Sequence, residues 1–145
     1  MSKYNFKNHL ISFNKNNSFQ KIPSIIKKLN EGQSFALVSD AGMPSICDPG
    51  EDLIKEARSN GLPVICIPGP CAAITALVTS GLPSSKFIFQ GFLPKKPSER
   101  REILLAISRY ENTTIIFESP YRLKKLLYEL KAVSYTHLRA HETVS

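Results

Sequence analysis

The stretch Val38–Gly50, VSDAGMPSICDPG, decides how this chain is read. Thirteen residues hold two Asp, two Pro and two Gly, and they follow the apolar run SFALV (34–38) without a gap. Neither a helix interior nor a strand interior carries Gly and Pro at that density. The segment therefore reads as a loop leaving a buried strand. The chain repeats the arrangement three more times. PGPCA (68–72) follows LPVICI (62–67), GFLPKK (91–96) ends KFIFQGF (86–92), and ESPYR (118–122) ends TTIIFES (113–119).

Between these runs lie stretches of helical spacing. Ile22, Ile25, Ile26 and Leu29 share one face, with Ser18 as the expected N-cap and Gly32 as the stop. DPGEDLIKEARSNG (48–61) predicts a helix capped by Asp48, with Pro49 in its first turn and Gly61 closing it. A third helix is expected over 70–81, ending at Gly81. A fourth is expected over 97–111, with Ser98 as cap and Ile103, Leu104 and Ile107 inward, and a fifth over 120–133. With HLISF (9–13) as a first short strand, five strand–helix repeats predict an α/β fold, a mainly parallel sheet with flanking helices. The composition shift in GLPSSK (81–86) sets the expected boundary: a partial N-terminal α/β domain over 1–84 and the start of a second, incomplete one over 85–132.

Residues 133–145, VSYTHLRAHETVS, break the pattern and resemble a translated sequencing-library adapter, so they read as a non-native tail. His137 and His141 sit at i, i+4 and would otherwise suggest a metal; here they are given no role, and no metal is expected.

The chain has 145 residues, 42% of them hydrophobic, enough for a packed core. No apolar run approaches the ~20 residues of a membrane helix, and MSKYNFKNHL lacks a secretory apolar region, so a cytoplasmic protein without a membrane is expected. Three cysteines, Cys47, Cys66 and Cys71, with no CxxC, argue for free thiols. The net charge of +7 suits a polyanionic partner such as RNA.

In a parallel sheet all four loops fall at the carboxyl ends of strands, the edge where helix N-termini and free amides meet ligands. Gly42, Gly69 and Gly91 would let backbone approach a ligand or turn with positive φ. Any one such loop is ordinary turn chemistry; four on one edge point to a site. Neither GxGxxG nor GxxxxGK[ST] occurs. Asp40 either accepts hydrogen bonds from a ligand hydroxyl or ammonium group or only caps a turn. Glu118 either holds a ligand or pairs with Arg122 four residues on. Lys95, Lys96, Arg100 and Arg101 either meet phosphates or form a solvated helix face.

ALVSDAGMPSICDPG, IPGPCAAITALVTSGLP, FIFQGFLPKK and IIFESPYRL together resemble the tetrapyrrole (corrin/porphyrin) methylase family, over about residues 2–132. Their wording is similar to the branch of that family that acts on small-subunit (16S) ribosomal RNA. That resemblance implies two α/β domains and a homodimer. It implies S-adenosylmethionine as cofactor and methyl transfer to the ribose 2′-hydroxyl of a cytidine. By motif, Ser39, Asp40, Ala41 and Gly42 with Pro68, Gly69, Pro70, Cys71 and Ala72 would line the cofactor cleft on one side. Glu118, Ser119 and Pro120 would line it on the other, and the basic group at 95–101 would meet RNA. Cys47 and Cys71 stand where Ser is usual in the family, and Tyr121 where His is common. The family's opening strand with its Thr-Pro-Ile-Gly-type loop, and the acidic segment after it, have no counterpart in the sequence. No residue is singled out as the general base; His9 is expected to be structural. The alternatives are a tetrapyrrole methyltransferase of the same fold and a non-catalytic α/β module binding a small anion.

Overall fold

In this computed structural model, which describes the backbone of residues 9–141 and the side chains of residues 9–133, contacts gather the chain into two units that meet in sequence at Pro70 and Cys71. The 81–86 stretch thus lies within the later unit rather than at its border. The Thr113 hydroxyl donates to the Pro83 carbonyl at 2.7 Å and holds that stretch to its own unit.

The first unit is built on two helices. α1 spans Ser18–Asn30 and α2 spans Glu51–Ser59, and they pack on each other with Ile25, Ile26 and Ala57 buried. Ser18 is the first helical residue and not the cap; the cap position belongs to Asn17. The turn before it is closed by reciprocal bonds. The Asn14 N–H donates to Asn17 Oδ1 at 2.8 Å, and the Asn17 N–H donates to Asn14 Oδ1 at 3.2 Å. No side chain caps α1; the Asn pair closes the turn that leads into it. Asp48 and Pro49 likewise fall outside α2, which starts after Gly50.

Both helices end as the glycines predict. The Gln33 N–H reaches back to Lys28 O and the Gly32 N–H to Leu29 O, each at 3.0 Å, with Gly32 at φ +87°. Leu62 and Gly61 repeat this on Ala57 and Arg58 at the end of α2. Left-handed Gly satisfies the last carbonyls without a Cβ penalty.

The strands expected at 9–13, 34–39 and 62–67 do not form. Apolar, β-branched sequence favours a pleated surface, but a strand exists only in a ladder that pairs its N–H and C=O groups. These segments have no ladder partner among the described residues, and Val38, Ile65 and Ile67 remain 63%, 85% and 84% exposed.

The later unit carries the α/β character. Its order is α3 (Ala72–Ser80), β1 (Phe87–Phe92), α4 (Pro97–Ile107), β2 (Thr113–Phe117) and α5 (Pro120–His141). β1 and β2 pair in parallel, and α4 is the crossover between them. Phe89 faces Ile115, Gly91 faces Ile116 and Phe92 faces Phe117, so Gln90 is an extra residue in β1. Gly91, at φ +67°, makes that bulge. Phe89 and Phe92 both meet the Phe117 ring edge-on, with centroids at 5.2 and 5.6 Å. Leu93, Leu104, Leu126 and Val133 form the core between α4 and α5, with Ile103, Ile107, Ile116 and Leu130 against it.

α4 starts at Pro97 with Lys96 in the cap position, so Ser98 is not its cap, and it ends at Ile107 rather than 111. α5 was expected to stop at 133 and runs on to His141. The last four residues of the expected tail, 142–145, lie outside the described residues, as do the side chains of His137 and His141.

Candidate functional site

In the first unit the two Gly/Pro loops meet. Ser39 Oγ donates to the carbonyls of Ala41 and Gly42 at 3.3 and 3.1 Å, which folds residues 39–42 back on themselves. Gly42 turns with φ +76°, and a side chain starting there would lie 3.6 Å from the Pro70 carbonyl. One starting at Gly69 would lie 3.5 Å from Met43 Sδ. The loops around 39–44 and 68–70 therefore share one surface of this unit. Gly42 and Gly91 use the left-handed region as expected; Gly69 does not, and its neighbour stands at ordinary contact distance.

Asp40, Ala41, Gly42, Pro68, Gly69 and Pro70 are all exposed on that surface. The Asp40 carboxylate makes no hydrogen bond or ion pair among the described residues, so the turn-capping alternative has no support. Strain collects just beyond it. Ser45 and Cys47 are non-glycine residues at φ +69° and +60°, and Ser45 Oγ is buried without a partner. A left-handed β-carbon residue and an orphaned hydroxyl each cost free energy, and such costs concentrate at ligand-holding segments.

Cys71 and Ala72 open the later unit. Cys71 occupies the cap position of α3 in extended conformation, and its carbonyl accepts from both the Thr75 N–H and the Thr75 hydroxyl. Its thiol and those of Cys47 and Cys66 are free.

Parallel pairing puts the ends of β1 and β2 on one edge of the later unit. The loops 93–96 and 118–119 leave there, into the N-termini of α4 and α5. Glu118 lies at the centre. Its side chain is 2% exposed. Oε2 accepts from Arg100 Nη2 at 3.0 Å; Oε1 accepts from the Ser119 N–H at 2.9 Å and pairs with Arg122 Nη2 at 2.8 Å. Arg100 Nε also donates to Glu129 Oε2 at 2.5 Å, and Arg122 Nε donates to Ser119 Oγ at 3.2 Å.

Burial by itself would raise the Glu118 pKa. The Ser119 amide and the two guanidinium groups outweigh it and hold the carboxyl below its ordinary value. Burial alone would lower Arg100; the Glu129 and Glu118 carboxylates outweigh that and raise it. Of the two roles open to Glu118, the fold realises the pairing with Arg122 and adds Arg100. A buried carboxylate already accepting two hydrogen bonds and paired with a second guanidinium has little left for a ligand.

The basic group 95–101 is thereby split. Lys95, Lys96 and Arg101 are exposed, and Lys96 pairs with Glu99 at 2.9 Å, but Arg100 points inward and is 4% exposed. A concave surface of about 540 Å³ opens beside it, lined by Lys95, Arg100, Ser119, Tyr121, Arg122 and Lys125. Sequence spacing offered the Glu118–Arg122 pair as one of two roles. It held no sign of the link from Arg100 to Glu129, 29 residues apart, which only the packing of α4 on α5 creates.

Two parallel strands joined through a helix, with loops rich in Gly and Pro, define an α/β fold. Residues 7–142 match the tetrapyrrole (corrin/porphyrin) methylases, and the chain belongs to that family. Its relatives narrow the likeness. It is 48% identical over 86% of its length to the ribosomal RNA small subunit methyltransferase I of Escherichia coli O157:H7, covering 43% of that protein. It is 44% identical over 90% of its length to the protein of the same name from Thermotoga maritima, covering 58% of it. The Vibrio cholerae protein of that name is 43% identical over 90% of the chain, which covers 45% of it. The chain thus spans about half the length of these curated relatives.

The methyl donor of the family is S-adenosylmethionine. The first unit's surface fits such a group. An unengaged carboxylate at Asp40 suits ribose hydroxyls or the methionine ammonium, and left-handed backbone at Gly42 leaves the loop uncovered by side chains. Glu118 does not fit, because its oxygens are already taken. Among the described residues no helix is long and apolar enough to cross a membrane.

Proposed function

We propose that this chain is part of a cytoplasmic, dimeric methyltransferase. It would use S-adenosylmethionine to methylate the 2′-hydroxyl of a cytidine ribose in small-subunit ribosomal RNA. The observation that carries this is the identity of 43–48% over nearly nine tenths of the chain to three ribosomal RNA small subunit methyltransferases I. The meeting of the 39–44 and 68–70 loops, with an unengaged Asp40 in the first of them, supports it.

When bound, S-adenosylmethionine would supply an electrophilic methyl group on a sulfonium, with the neutral thioether as leaving group and the ribose hydroxyl proton passing to water. The chain's part is placement. Alignment of an already reactive methyl group supplies much of the rate in such a displacement. Asp40 accepts from the donor's hydroxyl or ammonium groups, and Ser39, by closing the loop on the carbonyls of Ala41 and Gly42, fixes where Asp40 stands. In the later unit the Arg100–Glu118–Arg122 group holds the β2–α5 junction, Ser119 and Pro120, in one geometry.

The test is transfer of labelled methyl groups from S-adenosylmethionine to small-subunit particles, with a tetrapyrrole acceptor in parallel. Label recovered as 2′-O-methylcytidine after nuclease digestion is the expected result. Label in the tetrapyrrole, or in a base of the RNA, would overturn the assignment.

A further inference from the structure

We propose that the concave surface at the carboxyl end of β2 is a phosphodiester site, which grips the backbone of a single-stranded segment of the RNA substrate. This rests on the ribosomal RNA assignment above and goes beyond it by naming where the RNA is held.

Charge comes first. Lys95, Arg100, Arg122 and Lys125 line the surface, and the carboxylates within their reach are Glu118 and Glu129. Four cations against two anions leave an excess of two positive charges in one hollow. That excess repels a sulfonium and attracts phosphate. The anions are also unavailable for cationic ligands: Glu118 is buried with two hydrogen bonds and the Arg122 ion pair, and Glu129 takes Arg100 Nε and stands 3.9 Å from Lys125 Nζ.

Rigidity comes next. Arg100 is buried and held by two carboxylates, and Arg122 is held by Glu118 and by Ser119 Oγ. A guanidinium fixed through some of its N–H groups presents the rest in one direction, which lowers the entropy lost on gripping an anion. Lys95 is exposed and makes no ion pair among the described residues, so it can follow the strand as a mobile point charge.

An aromatic completes the surface. Tyr121 lines the same hollow with 99% of its surface exposed. A ring beside a cationic groove stacks on an unpaired base, the combination by which proteins hold single strands.

The test is fluorescence anisotropy of this chain with a labelled single-stranded oligoribonucleotide containing cytidine, titrated over a range of salt. Lys95→Gln and Lys125→Gln change exposed side chains, and melting curves check that both variants fold. The double variant should lower the slope of log affinity against log salt by about 1.4, at roughly 0.7 per phosphate contact for single strands. Tyr121→Ala should weaken binding by on the order of tenfold at every salt concentration. S-adenosylmethionine affinity, read by calorimetry, should not change in any of them. If wild-type chain binds the oligoribonucleotide and the variants keep its slope and affinity, the phosphodiester site is wrong and the ribosomal RNA assignment stands. If the variants instead lose S-adenosylmethionine, the hollow belongs to the cofactor. If wild-type chain binds no RNA at any salt, both readings fall.

Discussion

Arg100 Nη2 lies 3.0 Å from Glu118 Oε2, and the two side chains are 5% and 2% exposed. One sits in α4 and the other at the end of β2, so the pair ties the crossover helix to the sheet beneath the carboxyl edge. Removing one partner of a buried pair strands the other charge away from water. Arg100→Met should therefore destabilise the later unit by about 3 kcal/mol in urea unfolding, while Arg100→Met with Glu118→Gln should recover part of the loss. Equal stability of wild type and Arg100→Met would show that the pair does not bear on folding.

Acid should act through the same carboxylate. Folded Glu118 titrates below its ordinary value of 4.5, to which it returns on unfolding. Its contribution is complete above that value and disappears as pH falls through the lower, folded one. Urea midpoints measured from pH 6 to pH 3 should fall on the acid side of about 4.5, and Glu118→Gln should flatten that part of the curve. Parallel curves for the two proteins would show that Glu118 is not depressed.

Much of the local punctuation was legible in the sequence: Gly32 and Gly61 close their helices, Gly81 follows α3, and the β1–α4–β2 crossover falls where alternation predicted it. The segments 34–39 and 62–67 misled because apolar alternation records preference, whereas a strand also needs a partner to bond. The caps misled for a neighbouring reason. Ser18, Asp48 and Ser98 are each good cap residues, but the chain enters its helices beside them, at Asn17, Gly50 and Lys96. At the site, spacing offered Glu118 with Arg122 as one of two roles and marked the loop that holds Asp40. Burial of Arg100 could not be read, since a basic residue among Lys95, Lys96 and Arg101 gives no local sign of facing inward.

The glycines separate into two kinds. A Cβ on Gly50 would stand 2.3 Å from Ser45 Oγ and 2.7 Å from Leu37 Cδ2, on backbone at φ +149°. Gly50→Ala should therefore cost about 1–3 kcal/mol. Gly69→Ala meets only an ordinary contact with Met43 and should melt like wild type. Comparable melting temperatures for Gly50→Ala and wild type would mean that the 45–50 loop rearranges freely.

Asp40→Asn should leave melting unchanged, because the carboxylate makes no hydrogen bond or ion pair among the described residues. S-adenosylmethionine affinity should fall roughly tenfold, the size of one charge-assisted hydrogen bond. Calorimetry showing undiminished affinity would remove Asp40 from the binding surface.

The bulge at Gln90 and Gly91 makes the length of β1 matter more than its spelling. Side chains alternate with a period of two, so Phe89 and Phe92 would ordinarily point to opposite faces; the extra residue brings both onto Phe117. Deleting Gln90 would leave Phe89 and Phe92 two residues apart, so the same pairings close without a bulge and both rings keep their face. A lost codon at Gln90 should therefore be tolerated, while one gained between Phe92 and Leu93 should turn Leu93 out of the core and swing Lys95 away from the cationic hollow together.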